Sequence, residues 1–131
     1  RIGRAARARD VGMDITYDGI RLTPAEIVAR AVRDHLADCT HTLPMLVEQG
    51  RDASLHFFMA NLGAMRKKLF PGLQTAYRQW LDGADRGVFS QLAASGAVHW
   101  RSVAMQLLTL HERHGSDSAD AIAAAGQGAA I

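Results

Sequence analysis

The chain has 131 residues, of which 48% are hydrophobic, 21% charged and 6% aromatic, and its net charge is +2. This length and balance suit one domain with its own core and exclude the disordered class. The longest uncharged apolar runs, such as LLTL and FFMANLGAM, fall well short of the roughly 20 residues of a membrane span.

Four arginines, Arg1, Arg4, Arg7 and Arg9, stand against Asp10 alone in the first ten residues, and the rest of the chain carries 11 basic and 12 acidic residues. Basicity is therefore gathered in an arm, residues 1–12, which is read as flexible. Because the first residue is Arg, the chain is read as processed, trimmed or part of a longer protein. The next stretch, MDITYDGIRL, places Asp18-Gly19 between two short β-capable runs. That dipeptide favours a two-residue turn with positive φ, so residues 13–22 are expected to form a small β-hairpin leaning on the body or on another chain.

From here the pattern is helical, as alanine at 23 positions leads one to expect. Thr23-Pro24-Ala25-Glu26 is a helix start: Thr23 as N-cap, Pro24 where a missing N–H costs nothing, Glu26 closing a capping box. The helix it opens carries Ile27, Val28, Ala31, Val32, Leu36 and Cys39 at helical spacing. A short second helix follows over Leu43–Gln49. The third, capped by Asp52 or Ser54, has the stripe Leu55, Phe58, Met59, Leu62, Met65 and Leu69, widened by Phe57 and Ala64, and is expected to be central. Pro71 ends it. Leu73, Ala76, Tyr77, Trp80 and Leu81 mark a fourth helix ended by Gly83. Val88 to Ser95 reads as a fifth, stopped at Gly96, and GAVHWRSVAMQLLTLHERHG as a sixth, capped by Gly115. The domain is thus expected over 13–115, with 116–131 a weakly ordered Ala/Gly/Ser tail.

The sixth helix carries the sharpest functional alternatives. Residues VFSQLAASGAVHWRSVAMQLL run helix, glycine, helix, and GxxxWRSVA resembles helix-turn-helix sequences, which implies DNA reading. With Gly96 as the turn, however, the packing positions fall on Gln91, Ser95, Ala97, Ser102 and Met105, and three polar groups occupy sites that need apolar contact. A core-facing stripe of Trp100, Val103, Ala104, Leu107, Leu108 and His111, with Arg101, Gln106, Glu112 and Arg113 outside, accounts for the same residues better.

His35 and Cys39 at i, i+4, with His41, His111 and His114, have spacing that allows a metal, but no CxxC or HExxH accompanies them. His35 is read as a histidine at the edge of the core. HFFMANLGAMRKKLFP and LAASGAVH are similar to the second helix and proximal-histidine region of bacterial globins, which implies haem. Only 27 residues separate Pro71 from His99, too few for the intervening globin elements, so no haem is expected. No GxSxG, paired carboxylates or phosphate-cradling loop appears, and no catalytic residue, cofactor or metal is assigned.

The expectation is a mainly α-helical bundle of five to six helices with a small N-terminal hairpin, built around the third, fourth and sixth helices. It is read as a non-enzymatic interaction or assembly module, binding another protein or itself. Its docking residues are Tyr17, Asp18, Gly19, His111 and His114. The alternative is a nucleic-acid-binding accessory protein, holding DNA or RNA phosphates with Arg1, Arg4, Arg7, Arg9, Arg66, Lys67 and Lys68. One cysteine, Cys39, excludes an internal disulfide and suits a reducing intracellular compartment.

Overall fold

A computed structural model of the chain describes residues 15–17 and 20–131, with side chains from Leu22 onward. The basic arm and the Asp18-Gly19 turn lie outside the described residues. Short strands β1 (Ile15–Tyr17) and β2 (Ile20–Leu22) run antiparallel with Ile15 opposite Leu22. The remainder is helical: α1 (Pro24–Ala37), α2 (Leu43–Gln49), α3 (Asp52–Ala60), α4 (Ala64–Leu69), α5 (Pro71–Leu81), α6 (Gly87–His114) and α7 (Ala119–Gly128).

Helix α1 begins where its capping chemistry dictates. Thr23 Oγ1 accepts from the Glu26 N–H at 3.2 Å, and the Thr23 N–H donates to Glu26 Oε1 at 3.1 Å. The backbone hydrogen bond also holds the Glu26 carboxyl below its ordinary value. At its other end α1 passes into one π turn, Asp38–Thr42, and then directly into α2. Two side chains account for the wider turn. Pro44 has no N–H to donate and its ring collides with the carbonyl four residues back. Thr40 Oγ1 donates to the carbonyls of Leu36 at 2.9 Å and Ala37 at 3.2 Å, competing with the backbone ladder. The result aims Cys39 into the core.

The axis of the fold is α6, a helix of 28 residues, about 42 Å long. It packs on α1, the π turn, α2, α5 and α7. Its buried seam is Phe89, Ala93, Gly96, Trp100, Val103 and Leu107. The two helices expected over 88–95 and 96–115 are therefore one, and Gly96 is an interior contact. A β-carbon there would stand 2.6 Å from Cys39 Sγ and 3.1 Å from Phe70 Cζ. With no turn at Gly96, the helix-turn-helix arrangement is absent from this segment. Leu108 and His111, expected in the inward stripe, are exposed.

The expected third helix is broken. Asn61–Gly63 interrupt it between α3 and α4, and the Asn61 side chain donates to the Phe57 carbonyl at 2.8 Å. Only Leu55 and Met59 of α3 are buried, and Phe57 is 70% exposed. The consecutive apolar residues Phe57-Phe58-Met59 cannot share one helix face, so α3 is peripheral and α1 takes the central place expected of it.

Residues 116–131 are packed rather than loose. After Gly115 (φ 55°) the chain makes one 3₁₀ turn, Gly115–Ser118, and α7 then lies on α1 and α6 with Ile122 and Gly126 buried. A side chain at Gly126 would overlap Val28. The end of the chain is held at the α4–α5 junction, where the Gly72 N–H donates to the Ile131 carbonyl at 3.1 Å and the Ile131 N–H to the Leu69 carbonyl at 3.1 Å. His99 Nε2 donates to the Ala129 carbonyl at 2.6 Å.

Candidate docking surface

Two places concentrate side chains of possible chemical interest. The first is inside. His35, on the last turn of α1, lies between Phe70 and Trp100, with ring centroids at 5.0 and 5.2 Å. Its Nε2 donates to the Arg66 carbonyl at 2.9 Å, while its Nδ1 and Trp100 Nε1 are buried without partners among the described residues. Burial, reinforced by the Arg66 guanidinium, pushes His35 down to about 4, so the ring is neutral near pH 7. The Arg66 guanidinium turns to Asp38 in a half-buried ion pair. Cys39 beside them is pushed up to about 11, chiefly by burial and then by Asp38. A thiol held in that state is a poor nucleophile, and a histidine bonded to a backbone carbonyl has its proton committed. The cluster ties α1 and the π turn to α4 and α6, and sequence spacing placed His35 only at the core's edge.

The second place is on the surface. Helix α1 from its Thr23 cap to Arg33, the C-terminal half of α6, the 3₁₀ turn and the start of α7 enclose an open cleft of about 520 Å³. Val32, Leu107 and Ile122 form its floor; Ala25, Ala29, Ala104 and Leu108 line its walls; Glu26, Arg33 and His111 stand among its polar lining. Small alanines on both helices leave room between them, which is why a groove exists here. The Arg33–Asp34 pair at 3.6 Å is largely solvent-exposed, 68% and 47%, and contributes little. Outside the cleft the outer face of α6 exposes large apolar side chains among polar ones: Leu108 is 51%, Met105 60% and Val98 69% exposed, with Arg101 and Glu112 exposed between and beyond them. Exposed aliphatic side chains along one helix face, beside an apolar groove, are physically suited to covering by another apolar surface.

Among the sequence-expected docking residues, His111 lines the cleft, whereas His114 is exposed in the last turn of α6 without lining it. Asp18, Gly19 and the Tyr17 side chain lie outside the described residues, as do Arg1, Arg4, Arg7 and Arg9. Of the expected phosphate-binding run, Arg66 is turned inward to Asp38, Lys68 Nζ donates to Gln127 Oε1 at 3.0 Å, and Lys67 is exposed. Val98, Met105 and Leu108 were not singled out together from sequence, although their spacing of seven and three residues could have marked them. Among the described residues, no group of three His, Cys, Asp or Glu is placed to hold a metal ion, and no helix is long and apolar enough to cross a membrane.

The fold defines a mainly α-helical domain organised around one long helix, with an apolar groove at its C-terminal half. Residues 14–128 match the C-terminal domain of a family of unknown function, DUF6866, and the chain belongs to that family. A stretch of 46 residues is 61% identical to part of ethylmalonyl-CoA mutase from Cereibacter sphaeroides, covering 35% of this chain and 6% of the enzyme. A stretch of 27 residues is 78% identical to part of ethylmalonyl-CoA mutase from Methylorubrum extorquens, covering 21% of this chain and 4% of the enzyme. The similarity thus spans well under a tenth of the length of these curated relatives. No solved structure matches the chain.

Proposed function

We propose that the domain is a non-enzymatic interaction or assembly module that docks another protein chain, or a second copy of itself, along α6. The observation that carries this reading is the exposure of Val98, Met105 and Leu108 on one helix face. In water such side chains gain on the order of 25 cal/mol per Å² of apolar surface covered. The cleft between α1, α6 and α7 extends the same surface, with Glu26, Arg33 and His111 as polar groups to orient a partner. The N-terminal hairpin, 13–22, is assigned to the same docking function because a two-stranded ribbon needs a surface to lean on. The similarity to the mutases leaves this reading in place, since a shared stretch amounting to 6% of an enzyme does not carry over its activity.

A site-specific photocrosslinker at Leu108 in living cells tests the proposal, with the exposed position Gln79 on α5 as control. The expected outcome is a protein adduct of defined mass from position 108 and none from position 79. Absence of any protein adduct from position 108 overturns it. The competing phosphate-binding reading is separated by a heparin column, where retention that falls steeply with salt and depends on Arg1, Arg4, Arg7 and Arg9 favours nucleic acid.

A further inference from the structure

The outer face of α6 repeats at alternating steps of four and three residues: Ala94, Val98, Arg101, Met105, Leu108 and Glu112. All six are exposed. The buried seam, Phe89, Ala93, Gly96, Trp100, Val103 and Leu107, keeps the same rhythm on the other side. Helix α6 therefore carries two seams of coiled-coil type, and the described residues cover only the inner one.

Charge on the outer seam selects what can cover it. Arg101 and Glu112 bracket Met105 and Leu108, and a two-fold axis between Gln106 and Leu107 carries Met105 onto Leu108 and Arg101 onto Glu112. Resting on the reading that this surface docks protein, we infer that its occupant is a second copy of this chain with the two α6 helices antiparallel. Met105 of each copy packs on Leu108 of the other, and Arg101 of each lies beside Glu112 of the other. Val98 falls over Gly115 of the second copy, where no side chain obstructs it. Such a contact is isologous, since each residue's partner is also supplied by its own chain. A parallel pairing sets Arg101 against Arg101 and Glu112 against Glu112, and like charges disfavour it. The complementary segment, Arg101 to Glu112, is about 17 Å long. The dimer therefore belongs at the weak end of the interface range and forms at high protein concentration.

Sedimentation velocity of the full chain over a concentration series tests this. Wild type is expected to shift from monomer to dimer as concentration rises. Arg101→Glu alone and Glu112→Arg alone are each expected to weaken the dimer about tenfold or more, because each places like charges at both ends of the contact. An equimolar mixture of the two single variants, and the double variant Arg101→Glu/Glu112→Arg, are expected to restore it. These positions are exposed, so the unfolding midpoint reports whether each variant stays folded. Wild type that stays monomeric up to on the order of 1 mM, or a dimer indifferent to both single swaps, overturns the antiparallel pairing. In either case a position-108 adduct with a different protein leaves the docking reading standing, so the two failures are distinguishable.

Discussion

Gly96, in the middle of α6, approaches Cys39 of the π turn so closely that a β-carbon on residue 96 would stand 2.6 Å from Cys39 Sγ. Cys39 and Phe70, the next nearest neighbour, are 3% and 1% exposed, so neither yields freely to solvent. The close passage sets the buried seam of α6 against α1 and the π turn.

Two effects oppose each other in Gly96→Ala. Replacing an interior helical glycine by alanine gains about 1 kcal/mol of helix propensity, while overpacking a dense core costs about 1–3 kcal/mol. The contact is tight enough that the second term wins, and we expect a net loss of about 1 kcal/mol. In a Cys39→Ala background the obstructing sulfur is gone, so Gly96→Ala should be neutral or stabilising there. Urea unfolding of the four proteins measures this coupling. A higher midpoint for Gly96→Ala with Cys39 in place would refute the close-packing account.

Stability should also fall in mild acid. His35 takes up a proton near pH 6.5 in the unfolded chain but only near pH 4 in the folded one, because burial and then the Arg66 guanidinium oppose its charge. A depressed basic group means that the unfolded state binds more protons between those values. Stability is therefore complete above about pH 6.5 and drains away as pH falls to about 4, with a total loss on the order of 3 kcal/mol. Glu26, whose carboxyl is held low, loses its contribution in the same direction but at lower pH, below its ordinary 4.5. Urea unfolding between pH 7 and 4.5 separates the two: His35→Gln should flatten that slope. An unchanged slope would place the proton uptake elsewhere.

The C-terminal helix should contribute measurably to the fold. Ile122 is 8% exposed and forms part of the cleft floor, and Ile→Ala in a core costs about 2–5 kcal/mol. Because α7 lies at the end of the chain and can settle into the space, we expect Ile122→Ala to cost near the lower figure, about 2 kcal/mol. Ala124→Ser, at an exposed position, should cost within about 0.5 kcal/mol of nothing. Equal midpoints for the two variants would mean that α7 is undocked in solution.

Much of the helical content was legible from local chemistry. The Thr23–Glu26 capping box, the seven-residue α2 ending at Gly50, and the stop at Gly115 each depend on residues within a few positions of one another. Trp100, Val103 and Leu107 likewise read as inward-facing from helical spacing alone. The candidate surface was less legible. His111 is legible as a docking candidate, but Leu108 reads as part of the inward stripe, Met105 only as a packing position of the helix-turn-helix register, and Val98 carries no reading, because an apolar residue has no local mark of which helix face lacks a partner.

What the sequence by itself determined is helical class, the start of α1 and the periodicity of α6, since capping and propensity act over one or two turns. What only the tertiary structure decided is how glycine and alanine are used. Gly96 reads as a helix stop until Cys39 and Phe70 are set against it, and 116–131 reads as a weak tail until Gly126 is placed on Val28. Small residues either end helices or let them approach, and the choice depends on the atoms that face them from distant parts of the chain.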